Sequence, residues 1–341
     1  MRRLKLLLSL VLCVGFLSLG PASVNAKVLW RMQSYMPATS ELHQYIQEFC
    51  DKLKDETDGE MEITLYPGNA LFPNLKVFKN VQSGVVDMAQ TVVLYYLGEF
   101  PEGAALLPPY GPGRYDDMLQ LLYYRGLRDL IQPFYEKQGL MTLGYFHPGA
   151  EPIFSRVPIR TMADFKGKKI RMLGLSAKFF TDYLGASTVT LGGGDLFPAL
   201  SNGTIDAAEF SGGSPDYALG MHRVTKYIIM PTYLQTGFTE FLINKKSYDS
   251  LPEKIRKTFD LVVSWAEVHI TLKVERDNQI ALKKMVEEGG MEVIWLPDED
   301  VEKIHKMAIQ FWDDELATIS PMTKEIIDMY KTLAKERGLV K

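Results

Sequence analysis

Beyond residue 26 the hydrophobic positions follow two rhythms, one of period two and one of period 3.6. VLWRMQSY opens as a short apolar strand. SELHQYIQEFCDKLKDET follows, with Leu42, Tyr45, Phe49 and Leu53 at helical spacing. MEITLYPG alternates and stops at Pro67-Gly68, PNLKVFKNVQSG reads as a helix closed by Gly84, and VVDMAQTVVLYY reads as a strand. This β-α-β-α-β order predicts a mainly parallel sheet with helices on both faces. A proline-glycine loop, LPPYGPGRY at 107–115, leads into helical patterns over 116–124 and 127–138.

The alternation then starts again. MTLGYFH is a strand, MADFKG a short helix with a glycine stop, KKIRM a strand, SAKFFTDYLG a helix, STVTLG a strand, DLFPALSNG a helix and TIDAAEF a strand. The segments 71–90 (LFPNLKVFKNVQSGVVDMAQ) and 196–209 (LFPALSNGTIDAAE) share a plan of Leu-Phe-Pro, helix, glycine, aspartate and apolar strand. The predicted fold class is therefore α/β, with two doubly wound lobes. From Glu253 to Glu288 there is neither proline nor glycine, and apolar residues keep helical spacing. At ~1.5 Å per residue such a helix reaches ~50 Å, long enough to brace both lobes. A strand, MEVIWLP, and helices over 299–318 and 321–337 end the chain. The first lobe is expected over 27–150 with roughly 238–270, the second over 151–237 with roughly 271–341.

The first 26 residues do not belong to this pattern. Arg2, Arg3 and Lys5 precede an apolar run from Leu6 to Leu19, and Val24-Asn25-Ala26 offers a cleavage site. The run is short for a bilayer span of ~20 residues, so it reads as a cleaved secretory signal peptide. No other segment of the sequence is apolar enough to span a membrane. The net charge of −4 becomes −7 once the three leader cations are removed, which speaks against a nucleic-acid partner. Cys50 is then the one remaining cysteine, expected as a buried structural thiol.

Candidate chemistry narrows by exclusion. The GGGD run at 192–195 lacks the Gly-Lys-Ser/Thr of a phosphate loop and the third glycine of a dinucleotide fingerprint. Asp195 is expected to cap the next helix, with Pro198 in its first turn. No G-x-S-x-G elbow occurs, and His43, His147, His222, His269 and His305 lack zinc-ligand spacing. Arg171 and Glu209 remain, each at the end of an expected strand, where open parallel sheets bind ligands. The planar fork of an arginine matches a carboxylate with two parallel bonds. Residue type alone also allows Arg171 a structural salt bridge with Glu209 or Asp206, and Glu209 a capping or edge role. Beside Arg171, Glu209 would repel an acidic ligand unless a cation lay between them.

FKGKKIRMLGLSAKFFTDYLGASTVTLGGGDLFPALSNGTIDAAEFSGG resembles the solute-binding proteins of tripartite ATP-independent periplasmic (TRAP) transporters. The resemblance extends to WRMQSY, to SGVVDMAQ with its tyrosine pair, to MADFKGKKIR and to LPEKIRKTF. It is nearest to the branch that binds 2-oxo or 2-hydroxy monocarboxylates with a metal ion. The resemblance implies that Arg171 clamps the substrate carboxylate between closing lobes. It implies a Ca²⁺ or Na⁺ ion on the Glu209 side chain, the Phe210 carbonyl and Gln235, with no organic cofactor. Tyr35, Tyr95 and Phe154, along with Phe210, become pocket-wall candidates, although they also suit an ordinary aromatic core. Phe210 stands where tryptophan is usual, and SGGSPDY replaces a more common run. HPGAEPIF places Glu151 near the position of a family glutamine, which either keeps the metal and adds a charge or marks a remodelled pocket.

The expected function is a periplasmic receptor, not an enzyme. It would be a monomer or homodimer that hands a small carboxylate to TRAP membrane subunits. A secreted hydrolase or lyase using Glu209 as a base, and an ABC-type or sensory binding protein, are the alternatives.

Overall fold

The computed structural model describes residues 27–111, 115–147, 149, 151–234 and 238–339. The leader and Gln235 lie outside the described residues. Eleven strands are described in chain order: β1 (Val28–Ser34), β2 (Met61–Tyr66), β3 (Met88–Thr91), β4 (Leu140–Phe146), β5 (Glu151–Ser155), β6 (Lys169–Arg171), β7 (Ser187–Val189), β8 (Ala207–Ala208), β9 (Tyr227–Leu234), β10 (Thr239–Asn244) and β11 (Glu292–Trp295). They build two sheets, β2-β1-β3-β10-β4 and β11-β9-β5-β8-β6-β7. The two-lobed α/β architecture is the expected one.

The first sheet is parallel through β2, β1 and β3, as the β-α-β order requires. It is not parallel throughout. The chain leaves after β4, builds most of the second sheet, and returns to insert β10 antiparallel between β3 and β4. Every residue of β4 and β10 is buried, the mark of strands covered on both faces. The chain thus passes between the two sheets twice, between β4 and β5 and between β9 and β10.

Helix Glu253–Glu287 makes a third crossing with its 35 residues. Ile255, Phe259, Val262, Val263, Ala266 and Ile270 sit in the first lobe's core with Trp30, Phe49 and Phe241. Further along, Met285 joins Leu196, Leu200 and Ile228 in the second lobe's core, and the chain then enters β11. Cys50 is buried in the first core, and burial pushes its thiol well above the usual range, so the structural role expected of it holds.

Two local expectations are corrected. The helix after the glycine run begins at Gly193 with Gly192 at its cap, so Asp195 lies inside the first turn and Pro198 inside the helix. The TIDAAEF strand shortens to Ala207–Ala208, with Asp206 still bonded to its neighbours on either side. Its side chain accepts from the Lys169 amide at 2.9 Å and its carbonyl from the Arg156 amide at 2.8 Å.

Candidate functional site: a buried arginine among three carboxyl groups

Strand direction brings the site together. β6 and β8 are parallel neighbours, so Arg171 at the end of one and Glu209 just past the other share an edge. β5 runs antiparallel to β8, so its first residue, Glu151, arrives at that same edge. The first sheet does likewise from across the cleft. Tyr35 follows β1, Tyr95 lies in the turn Val93–Tyr96 after β3, and Thr239 starts the antiparallel β10. One cavity is lined by Tyr35, Tyr95, Glu151, Arg171, Glu209 and Phe210, and by Thr239.

Arg171 and Glu209 are each 2% exposed. The Arg171 Nη1 donates to the Glu209 carbonyl at 2.6 Å and to Glu209 Oε1 at 2.9 Å, and Nε donates to the Leu191 carbonyl at 3.1 Å. The ion pair left open by residue type is therefore present, and with Glu209, not Asp206. It does not exhaust the guanidinium, because Nη2 has no hydrogen-bond partner among the described residues. The guanidinium carbon lies 5.6 Å from the centroid of the Phe210 ring. That ring rests on the helix start: a Cβ at Gly193 would fall 2.6 Å from Phe210 Cε2. The glycine run thus makes room for a pocket wall.

Burial pushes the Glu151 carboxyl well above the usual range, aided by Glu209 and Asp216 and opposed by Arg171. Asp216, on helix Gly213–Ala218, is raised in the same way by burial and by Glu209, against Arg171 and the Ser211 amide. The Tyr35 phenol is raised by burial, Tyr95 and Glu151. Burial raises Tyr95 as well; Arg171 opposes it, and Glu151 and Glu209 add to it. Tyr35 and Tyr95 meet edge to face, 5.9 Å between centroids.

Phe154 does not join them. It is fully buried with Leu196, Leu200, Ile205 and Met221 in the core of the second lobe and does not line that cavity. Sequence reasoning missed the aliphatic wall of Val92, Leu94, Leu97, Leu107, Leu173 and Leu175. Most of that wall lies just past β3 or β6, so the strand-end rule that found Arg171 also points to it.

Two α/β lobes that enclose a buried arginine at their facing strand ends define a cleft-type binding protein. A family model described as bacterial extracellular solute-binding protein, family 7, matches residues 32–318, and the chain belongs to that family. A monocarboxylate 2-oxoacid-binding periplasmic protein of Nostoc sp. (strain PCC 7120) is 25% identical over 312 residues, covering 91% of this chain and 85% of that protein. An ectoine/5-hydroxyectoine-binding periplasmic protein of Ruegeria pomeroyi is 23% identical, over 79% of this chain and 80% of its own. Among solved structures, a TRAP transporter solute-binding protein of Bordetella bronchiseptica, a mixed-occupancy dimer with calcium and picolinate, has a TM-score of 0.82 at 24% identity, covering 92% of this chain and 93% of its own. A TRAP periplasmic solute-binding protein of Colwellia psychrerythraea, with calcium and pyruvate, matches with a TM-score of 0.82 at 22% identity over 92% and 95%. The latter two likenesses bear on the fold. The resemblance to TRAP solute-binding proteins is borne out at the level of family and architecture, and the family is one of receptors.

Proposed function

We propose that this receptor captures an organic monocarboxylate, of the 2-oxo or 2-hydroxy type, and delivers it to TRAP membrane subunits. One observation carries the reading. Arg171 is the only cationic side chain among the described residues lining a mainly aliphatic and aromatic cavity. A single cation suits a single carboxylate, and the apolar remainder leaves a second charged group without a partner. The free Nη2 of Arg171 takes the carboxylate, and the tyrosine pair closes over it from the other lobe. The lobes that close are 27–150 with 238–270, and 151–237 with 271–341. Ligand binding stabilises the closed arrangement only by the contacts it makes there and not in the open one.

A cation fits the donor set. Glu209 and the Phe210 carbonyl, with Gln235, would hold Ca²⁺ or Na⁺ through hard oxygen donors. The ion would supply positive charge between Glu209 and the ligand carboxylate, offsetting their repulsion. Export to the periplasm follows from the leader in residues 1–26, and among the described residues no helix is long and apolar enough to cross a membrane.

The test is calorimetric titration of the chelator-treated protein with a panel of carboxylates, with and without added Ca²⁺. Stoichiometric binding of 2-oxo or 2-hydroxy acids with the ligand recovered intact is expected. Dicarboxylates binding more tightly, or a ligand converted to product, would overturn the reading.

A further inference from the structure

The cavity around Arg171 carries more hydrocarbon than a carboxylate uses. Every charged side chain on its wall among the described residues, Arg171, Glu151 and Glu209, comes from the shared edge of β5, β6 and β8. Four leucines make the apolar side. Leu94 and Leu97 come from the first lobe, in and just after the turn Val93–Tyr96. Leu173 and Leu175 come from the second, at the start of helix Gly174–Asp182. The two pairs meet across the cleft: a Cβ at Gly174 would fall 3.5 Å from Leu94 Cδ2 and 4.0 Å from Leu97 Cδ1. All four leucines are half-buried, whereas Leu107 and Phe238 on the same wall are buried. Half-buried leucines on a cavity wall keep apolar surface in water, and such surface in a groove marks a place for a ligand.

A carboxylate on Arg171 sets where the rest of the ligand goes. Leu173 and Leu175 follow the guanidinium closely in the chain, and Leu94 adjoins Tyr95, whose phenol feels the Arg171 charge. The leucines therefore flank the carboxylate position. The other direction leads past Met36, Phe210 and Ser211 into a second cavity that shares those three residues. There Glu41, Asp277 and Asn278 line the wall, so an apolar tail would strip water from two carboxylates and give them no partner. The leucine direction carries no such penalty.

We propose that the acid taken up carries an aliphatic tail past its 2-oxo or 2-hydroxy carbon, and that Leu94, Leu97, Leu173 and Leu175 select it over acids of pyruvate size. The inference rests on the reading of Arg171 as the carboxylate clamp. Leu94 and Leu97 arrive with the first lobe, so the tail gains its second wall only in the closed arrangement and favours closure. Each methylene taken out of water between the pairs raises affinity about fourfold.

The test is calorimetric titration of the full mature chain, with Ca²⁺ and Na⁺ present throughout. The ligands are pyruvate, 2-oxobutyrate, 2-oxovalerate and 4-methyl-2-oxovalerate. Affinity is expected to climb along the series to about fiftyfold over pyruvate, with a binding heat capacity that grows more negative at each step. Leu97→Asn combined with Leu175→Asn should cut that ratio to about fivefold or less. Ala218→Trp, which occupies the second cavity, should leave it unchanged. Thermal unfolding establishes that each variant is folded. The ratio is read within one protein, so a general loss of affinity does not imitate the effect. A series that is flat or falls with length overturns the proposal and leaves the receptor reading standing. So does a ratio that survives in the leucine variant, and its collapse in Ala218→Trp would put the tail in the second cavity instead. If no acid of the series binds, the reading of Arg171 falls and the inference with it.

Discussion

Glu240 in the first lobe and Glu151 at the facing edge of the second are both buried acids that hold their protons more tightly than in water, yet their surroundings differ. Glu240 lies on β10, fully buried, and accepts a hydrogen bond from the Tyr96 hydroxyl, which in turn meets the Tyr135 hydroxyl at 3.0 Å. Burial pushes its carboxyl up to about 8, with the Tyr96 bond pulling the other way. Its hydrogen-bonding neighbours are neutral, and a retained proton settles its charge. Glu151 instead faces Arg171, Glu209 and Asp216, where one cation is shared among three acids. The first arrangement needs no counter-charge, although Glu240 Oε2 has no hydrogen-bond partner among the described residues. The second sets several acids against a single cation at a cavity wall.

The comparison breaks most readily at Arg171. Arg171→Ala is expected to reduce carboxylate binding by at least ~2 kcal/mol, about thirtyfold. It should also lower stability by roughly 3–5 kcal/mol, because buried carboxylates lose their counter-charge. Calorimetry and thermal unfolding read the two effects separately, and binding within a few-fold of the parent would discard the clamp. Phe154→Ala tests the core side. It should lower stability by about 3–5 kcal/mol through the cavity left among Leu196, Leu200 and Met221, with ligand affinity of the folded protein unchanged. A loss of affinity there would return Phe154 to the pocket.

Glu240 sharpens the contrast through pH. Its folded-state proton is held up to about 8 against an ordinary value of 4.5, so the folded state binds the proton more tightly. Its stability contribution is therefore full below pH 4.5 and fades as pH rises to about 8. The slope is at most about 1.4 kcal/mol per pH unit. Denaturant midpoints of Glu240→Gln should lack that share of the parent's decline. Equal slopes in the two proteins would show that Glu240 is not the group. The smallest effect concerns the wall of the site. Gly193→Ala places a Cβ 2.6 Å from the Phe210 ring. It should weaken binding about three- to fivefold, or roughly 1 kcal/mol, as the ring shifts off the guanidinium. Unchanged affinity would relieve Phe210 of any role.

Much of the fold was legible because its signals are local. Leu42, Tyr45, Phe49 and Leu53 mark one buried helix face in the sequence and are buried together in the structure. The long helix was readable from an absence of breakers and ends at Glu287. Arg171 and Glu209 could be selected because strand ends are recognisable and open sheets bind there. The β10 insertion could not be read. Thr239–Asn244 pairs with Met88–Thr91 about 150 positions earlier, and nothing local specifies that partner.

Spacing and short motifs alone set the alternation of strands and helices, the bracing helix, the family, and the two residues of the central ion pair. Each of these is written in spacing or in a motif that a short window contains. Packing alone settled which face of β5 Phe154 takes, that the Arg171 pair is with Glu209, and that Asp216 is wholly buried. Those outcomes depend on strand direction and on packing between segments far apart in the chain. Charge balance in a buried site is a property of that packing, and Glu151 acquires its meaning only once three carboxyl groups meet around one guanidinium.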